Sequence, residues 1–160
     1  MIFKKATLPL VVVFFCTLSP FSPLRSADQS KGEKASPVTL VFYNLKNYLA
    51  MERRIDGEVV ADASKPESEI KPLIEGIVAM APDILGVCEI GDAAHVDDLQ
   101  SRLKTAGIDL PHTEMVTDSA GWNRNLALFS KFPIIARQSR DDYTYVIGDT
   151  KHAFQRGVLD

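Results

Sequence analysis

Two apolar segments of this sequence end in side chains that could bind a cation. Asn44 follows the apolar run 38–43, and Glu89 follows the run 84–88. Amide and carboxylate oxygens are suitable ligands for a hard cation such as Mg²⁺ or Mn²⁺. Because an ionised Glu is costly to bury without a partner, Glu89 must lie in water or against a cation. A single carboxylate would give an open metal site that keeps water and is completed by a phosphate group.

Glu89 taken alone also fits a solvated carboxylate at the start of a loop, so the surrounding elements matter. The runs 38–43 and 84–88 are typical of buried strands. Between them, Ser64 is predicted to cap a helix whose apolar face leads up to Pro82. Strand, helix and strand form a crossover unit, which brings the carboxyl ends of both strands to one sheet edge. Asn44 and Glu89 are therefore expected to lie together.

The remaining elements suggest an alternating first half and a meander of strands in the second half. Pro72 requires the first helix to begin later, near Ile70 or Lys71, or to bend. Residues 46–64 lack periodicity and are predicted to form a loop. A second helix is predicted over 93–106, with Gly107 at its end. Further strands are predicted over 112–116, 126–130, 134–138, 143–147 and 154–159.

The N-terminal segment differs in composition from the rest of the chain, which is typical of one globular domain. The 160 residues are 46% hydrophobic and 24% charged, which is ordinary for a globular domain. Lysines at 4 and 5, then an apolar and a Ser/Pro-rich stretch, predict a signal peptide over 1–27, with an uncleaved anchor as the alternative. A linker over 28–37 and a domain over 38–160 follow. The expected location is secreted or periplasmic, with membrane contact only through an uncleaved signal.

Charge and cysteine content narrow the chemistry of the processed chain. Removing 1–27 takes away Lys4, Lys5 and Arg25, so the formal charge changes from -3 to -6. Such a chain has no overall attraction to nucleic acid, although a local basic groove stays open as an alternative. Cys88 would be the one remaining cysteine, and its place in an apolar strand favours a core residue over a nucleophile.

Three segments in order resemble the endonuclease/exonuclease/phosphatase superfamily. TLVFYNLKN at 39–47 resembles the opening strand of that family with its Asn. APDILGVCEI at 81–90 resembles the second strand, with Cys88 where the family usually has Gln. NLALFSKFPI at 125–134 resembles a later strand-turn-strand. The resemblance extends over about residues 38–160, and Cys88 makes the subfamily and the surroundings of the metal ligand less certain.

The resemblance implies a fold and a set of roles. The fold would be a four-layer α/β sandwich, of which this chain contains the N-terminal half. Glu89 would be the Mg²⁺ (or Mn²⁺) ligand, and Asn44 would help to hold the metal or orient the scissile phosphate. The family's Asp-x-Asn pair and late Asp-His pair are not identifiable in this sequence. The resemblance therefore implies a truncated domain, with the catalytic His beyond position 160.

Three further residues are candidates for substrate binding, each with a simpler alternative. Arg156 either contacts phosphate or is a solvated Arg at a strand edge. Arg124, beside Trp122, belongs to a turn whose aromatic ring either stacks on substrate or packs against the turn. Asn47 is either a ligand or a loop residue that caps its own backbone. The three histidines are interpreted as surface residues: His95 at a helix start, His112 at a loop or strand start, and His152 in a turn.

The predicted function is metal-dependent phosphoesterase activity, by Mg²⁺-assisted attack of water on a phosphodiester or phosphomonoester. The implied partner is a phosphate-ester substrate, with DNA or RNA among the possibilities, and no stable protein partner. An extracellular nuclease, a phosphatase and a lipid phosphodiesterase all fit. Two alternatives stay open: an incomplete, inactive fragment, and a secreted α/β binding domain in which Glu89 is structural.

Overall fold

A four-stranded mixed sheet with both helices on one face forms the centre of the described chain. The computed structural model describes residues 36–160, so the predicted signal peptide (1–27) and most of the predicted linker (28–37) lie outside the described residues. The elements in chain order are β1 (Leu40–Tyr48), β2 (Met51–Ile55), β3 (Glu58–Ala63), α1 (Glu67–Met80), β4 (Ile84–Ile90), α2 (Ala93–Thr105), β5 (His112–Val116), β6 (Asn125–Ser130), β7 (Thr144–Ile147) and β8 (Thr150–Ala153).

The central sheet has the strand order β1-β4-β6-β5. Strands β1 and β4 are parallel, with α1 as the crossover, and Asn44 pairs with Cys88 in their register. Strand β6 runs antiparallel to both β4 and β5. The predicted crossover unit is therefore confirmed, and the chain is a mixed α/β domain.

Helix α1 begins later than Ser64 and includes a proline. Pro66, in an extended conformation, is the N-cap residue, and no side chain caps the helix. The prediction of Ser64 as the cap was therefore wrong. Pro72 lies inside the helix, where its ring removes the hydrogen bond to the Ser68 carbonyl. Both Pro72 and Ser68 are exposed, so water can reach that carbonyl.

Helix α2 has the ends that its sequence predicts. The Asp92 side chain accepts hydrogen bonds from the backbone N–H groups of Ala94 and His95, which caps the first turn. At the other end, Gly107 has φ +96. The N–H of Ile108 then reaches the Leu103 carbonyl over 2.9 Å, which is the Schellman arrangement.

The core lies between the two helices and one face of the sheet. Apolar side chains at alternate positions of β4 and β6 meet the inner faces of both helices and fill this layer. The members that are fully buried or nearly so include Ile70, Leu73, Ile77, Leu85, Val87, Val96, Leu99, Leu103, Ala127 and Phe129. On the opposite face of the sheet, Phe42 is 76% exposed and its ring lies against Gly86, where a Cβ atom would be 2.6 Å from Phe42 Cδ1.

The structure differs from four of the predictions made for single segments. Residues 46–64 contain the end of β1 and the β2–β3 hairpin, which turns at Asp56 and Gly57 with positive φ at both. Residues 134–138 form no strand, and 154–159 contribute an isolated bridge between Arg140 and Val158. His152 lies in β8 instead of a turn. Helices long and apolar enough to span a membrane are absent from residues 36–160.

Candidate functional site

Glu89 lies where the pairing of two strands is interrupted at the same point. Between Asn44 and Tyr48, β1 has three residues opposite the single residue Glu89 of β4. On the other side, Cys88 and Ile90 pair with adjacent residues of β6, so Glu89 is again the unpaired residue. Bulges of this kind change the direction in which a side chain points and are common beside functional sites. The register of the sheet therefore leaves Glu89 without a paired residue in either neighbouring strand.

The backbone of Glu89 is in a conformation that side chains disfavour. Its φ is 63, in the left-handed region that residues other than Gly seldom adopt. Such a conformation costs of order 1 kcal/mol or more and persists only where the surrounding structure compensates. At Glu89 this conformation coincides with the interruption of strand pairing on both sides of β4.

The Glu89 carboxylate accepts hydrogen bonds from three directions. Oε1 accepts from Asn44 Nδ2 at 3.2 Å and from Arg156 Nη2 at 3.3 Å. Oε2 accepts from the backbone N–H of Asn47 at 3.2 Å. The Glu89 side chain keeps 17% of its exposure, so it is partly enclosed and still open to solvent. The predicted meeting of Asn44 and Glu89 is present, as a direct hydrogen bond.

Asn44 presents its amide nitrogen to Glu89 and its amide oxygen to the backbone. Oδ1 accepts from the N–H of Lys46 at 2.8 Å, which determines which end of the amide faces the carboxylate. In this arrangement Asn44 orients the Glu89 carboxylate. Its oxygen is partly used, with a second lone pair remaining for another donor or a cation.

A left-handed turn at Lys46 and Asn47 directs the Asn47 N–H toward Glu89. The two residues have φ values of 50 and 61. Two cations hold the turn through its carbonyls: Lys65 Nζ donates to Lys46 O at 3.0 Å, and Arg53 Nη2 donates to Asn47 O at 2.7 Å. The Lys65 side chain is 4% exposed. These contacts fix the turn from behind, on the side away from the carboxylate.

Arg124 joins the same cluster through Asn47. Its Nε donates to Asn47 Oδ1 at 2.7 Å, so the Asn47 side chain accepts from Arg124 instead of capping its own backbone. Trp122, two residues earlier, is 50% exposed, and its backbone N–H donates to Asp118. All five residues selected from the sequence therefore belong to one hydrogen-bonded cluster. Its members are Asn44, Asn47, Glu89, Arg124 and Arg156.

The thiol of Cys88 and the three histidines lie outside this hydrogen-bonded cluster. Burial and the negative charge of Glu89 raise the pKa of the Cys88 thiol, which keeps it protonated and disfavours a nucleophilic role. His95 Nδ1 lies 2.7 Å from Asp92 Oδ1 at the start of α2. His112 begins β5, and the His152 ring stacks on Tyr145 at 5.3 Å between centroids. None of these histidines bonds to the Glu89 carboxylate.

The donor set around Glu89 fits a hard, mostly hydrated cation. Within residues 36–160 there is no group of three or more His, Cys, Asp or Glu side chains arranged to hold a metal. Sites of that closed kind suit Zn²⁺. Mg²⁺ instead is held by one or two carboxylates and completes its shell with water and phosphate oxygens. The partly exposed Glu89 carboxylate meets that requirement, whereas the Asn44 amide turns its nitrogen toward Glu89 and its oxygen toward the Lys46 N–H.

The sequence alone did not point to the residues that support the site from behind. The sequence predicts a loop at Arg53 and a helix start at Lys65, yet both side chains donate to carbonyls of the 46–47 turn. Asn125 is also buried, at 3% exposure, and its Nδ2 donates to Gly91 O at 2.8 Å, just after β4. The Asp56-Gly57 dipeptide was the available signal for the hairpin that carries Arg53.

Comparisons with known proteins add no relative to this description. No family model, curated protein or solved structure matches the chain. The functional argument therefore depends on the site and on the resemblance of the three segments described above.

Proposed function

We propose that this chain forms the metal-binding half of a metal-dependent phosphoric ester hydrolase of the endonuclease/exonuclease/phosphatase type. One observation carries the proposal: residues 44, 47, 89, 124 and 156 form a single cluster around a partly exposed carboxylate. These residues come from distant parts of the chain. Their convergence at the polar end of parallel strands, where ligands bind in α/β sheets, favours a binding site. The complete fold proposed is the four-layer α/β sandwich of that family.

Glu89 is proposed to hold Mg²⁺ or Mn²⁺, with Asn44 as the residue that orients its carboxylate. A bound divalent cation would polarise a phosphoryl oxygen and offset the charge that develops on the leaving oxygen. The protein's part is to keep the carboxylate in position. It does so with the Asn44 amide and the Asn47 N–H, which donate to different carboxylate oxygens.

Arg156 and Arg124 are proposed to bind the phosphate group of the substrate. A guanidinium presents a planar fork of donors that matches two phosphate oxygens. The Arg156 side chain is 37% exposed, so it can contact a ligand. Arg124 also positions Asn47 through its Nε contact. Because the processed chain is acidic, these cations supply a local attraction for an anionic ester that the overall charge does not.

The chain by itself is proposed to bind metal and phosphate without turnover. Hydrolysis needs a group that removes a proton from the attacking water. The donors to Glu89 within residues 36–160 are Asn44, Asn47 and Arg156, and none of them is a base at neutral pH. The proposed substrate is a phosphoric ester, a class that includes nucleic acids, phospholipids and small phosphate esters.

Titration calorimetry with Mg²⁺ tests the metal site directly. Wild-type chain should bind Mg²⁺, and Glu89→Gln, which keeps the shape and removes the charge, should reduce affinity by at least about tenfold. Glu75→Gln is the matched control, since Glu75 is an exposed carboxylate on α1. Equal Mg²⁺ binding by wild type and Glu89→Gln would contradict the proposal.

An activity panel tests the absence of turnover. Single-stranded DNA, duplex DNA, sphingomyelin and a phosphate monoester should all remain intact with the 160-residue chain and Mg²⁺. Metal-dependent turnover that disappears in Glu89→Gln would instead show that the chain holds a complete active site. The substrate that is hydrolysed would then identify the class.

A structural role for Glu89 in a binding domain is the second candidate. It is favoured by the fact that both carboxylate oxygens already have donors, so Glu89 links β1, β4 and the segment after β8. In that case Glu89→Gln would lower stability, and Mg²⁺ would not raise the unfolding temperature of the wild type. A rise in that temperature with Mg²⁺, lost in Glu89→Gln, would favour the metal site.

A further inference from the structure

The Arg156 guanidinium contacts Oε1 of Glu89, one of the two carboxylate oxygens that could bind a cation. We propose that Arg156 is an exchanging residue: it neutralises Glu89 in the metal-free protein, leaves when Mg²⁺ binds, and then binds the phosphate of the ligand. The inference rests on the proposed metal site at Glu89. It adds that metal binding and phosphate binding are coupled through one side chain.

Of the two Glu89 oxygens, Oε1 is the more crowded: Oε2 accepts one hydrogen bond, from the Asn47 N–H, so an exchange is required where the cation binds Oε1. Oε1 already accepts from Asn44 Nδ2 at 3.2 Å and from Arg156 Nη2 at 3.3 Å. A carboxylate oxygen offers about two lone-pair directions, so both are in use. A cation at Oε1 must therefore displace one of the two donors.

Arg156 is the donor that can leave. Asn44 is held at its other end by the Lys46 N–H at 2.8 Å, and Asn47 donates from the backbone. Within the described residues, Arg156 has one side-chain hydrogen bond, the 3.3 Å contact to Glu89. It also carries a positive charge, so a neighbouring Mg²⁺ repels it and does not repel Asn44.

The backbone at Arg156 is fixed, which confines the exchange to the side chain. The Ser119 N–H donates to Gln155 O at 3.0 Å, and Arg140 and Val158 exchange backbone hydrogen bonds of 2.9 and 2.7 Å. These bonds lie on both sides of Arg156. A displaced guanidinium therefore stays close to Glu89.

The surroundings of Arg156 offer room for an anionic ligand. Arg156 lines an open cleft of about 1080 Å³ together with Lys151 and His152, formed by the β7–β8 hairpin and the segment after it; Glu89 is not among its lining residues. The contact of Arg156 with Glu89 uses one N–H of the guanidinium, and the remaining N–H groups can donate to phosphate oxygens. Release from Glu89 would free the whole fork for that purpose.

Binding measurements on Arg156 variants test the exchange. The 160-residue chain is titrated with Mg²⁺, and then with inorganic phosphate at saturating Mg²⁺. Arg156→Gln should bind Mg²⁺ about two- to tenfold more tightly, because the competing cation is gone, and phosphate about tenfold more weakly. Arg156→Lys, which keeps the charge, should bind Mg²⁺ within about twofold of wild type. Arg54→Gln removes an exposed charge elsewhere and should change neither affinity.

The outcomes separate this inference from the proposed function. If wild type binds Mg²⁺ and Arg156→Gln binds it equally or more weakly, the exchange is wrong and the metal site stands. If wild type binds no Mg²⁺, the metal site itself is wrong. A measurement on wild type avoids any folding defect of the variants: the Arg156 Nε resonance should shift on adding Mg²⁺ and shift again on adding phosphate. An Arg156 resonance that does not respond to Mg²⁺ would also overturn the exchange.

Discussion

The amide nitrogen of Asn44 donates to Oε1 of Glu89 over 3.2 Å, although the residues are 45 positions apart in the chain. The contact joins the polar ends of parallel strands β1 and β4. It places a hydrogen-bond donor, and no second acid, beside the carboxylate. The charge of the residue at 44 therefore determines how strongly this edge of the sheet attracts a cation.

Replacing Asn44 by Asp should have opposite effects with and without Mg²⁺. Without metal, Asn44→Asp removes the donor and puts like charges together, so the unfolding free energy should fall by about 1–2 kcal/mol. With metal, the added carboxylate should raise Mg²⁺ affinity by about tenfold. Calorimetric titration and urea unfolding measure the two effects. Asn44→Ala is the control, because it loses the donor without adding charge; weaker Mg²⁺ binding by Asn44→Asp than by Asn44→Ala would contradict the site.

The buried Lys65 ammonium should matter for both stability and metal binding. Lys65→Met keeps the apolar stem but leaves the Lys46 carbonyl without its 3.0 Å donor, at a cost of about 1–3 kcal/mol. The 46–47 turn should loosen, which should weaken Mg²⁺ binding as well. Lys71→Met, at an exposed position of α1, should change the unfolding free energy by less than about 0.5 kcal/mol. Similar losses in both variants would show that Lys65 has no special role.

Replacement of Gly157 by Ala should destabilise the fold much more than replacement of Gly121, although both glycines have a similar positive φ. Gly157 has φ +68, and an added Cβ would lie 2.5 Å from Val116 Cγ1 and 2.7 Å from Arg140 O. Gly121 has φ +75 with nothing within 4 Å. Gly121→Ala should cost about 1 kcal/mol from backbone strain alone. Gly157→Ala should cost at least about 2 kcal/mol in denaturant unfolding, because the steric clash is added.

Stability should fall at alkaline pH because of Tyr48. Burial and the hydrogen bond to Asp98 raise the pKa of the Tyr48 hydroxyl above its ordinary value of 10.0. The folded state thus keeps a proton that the unfolded state releases above pH 10.0. The stabilisation is complete below that pH and is lost as pH rises through the folded-state pKa.

Tyr48→Phe isolates this effect. The variant should lose about 1–2 kcal/mol at neutral pH, because it lacks a hydrogen bond to a charged group. Its unfolding free energy should then depend less on pH above the ordinary tyrosine range than that of wild type. Tyr143→Phe, at a residue 43% exposed, is the control and should keep the wild-type pH dependence. An equally steep alkaline loss in Tyr48→Phe would assign the effect to other groups.

The crossover unit was predictable because its signals are local. The apolar run ending at Glu89 and the helical spacing before Pro82 each depend on neighbours in sequence. Parallel strands joined by a helix then bring Asn44 and Glu89 to one edge without further information. Asn44 and Glu89 follow from that topology and from the family resemblance, whereas the candidates Asn47, Arg124 and Arg156 rest on residue type and local sequence.

The supporting contacts were not predictable because they depend on long-range register. The donation of Arg53 to the Asn47 carbonyl requires both the β2–β3 hairpin and the bulge in β1. The residue types near position 47 do not indicate the bulge in which three residues of β1 lie opposite Glu89 of β4. The strand predicted at 134–138 failed for a related reason, since an apolar run becomes a strand only where a partner strand offers hydrogen bonds.

The turn at Lys46 and Asn47 is held through its carbonyl oxygens, by Lys65 and Arg53. The donor that it supplies to Glu89 is likewise a backbone N–H. The conformation of this turn therefore depends on residues outside it, namely Arg53 in β2 and Lys65 just before α1. Relatives could exchange the Lys46 side chain and preserve the turn, whereas an insertion in the hairpin would distort it while leaving the motif around Asn44 unaltered.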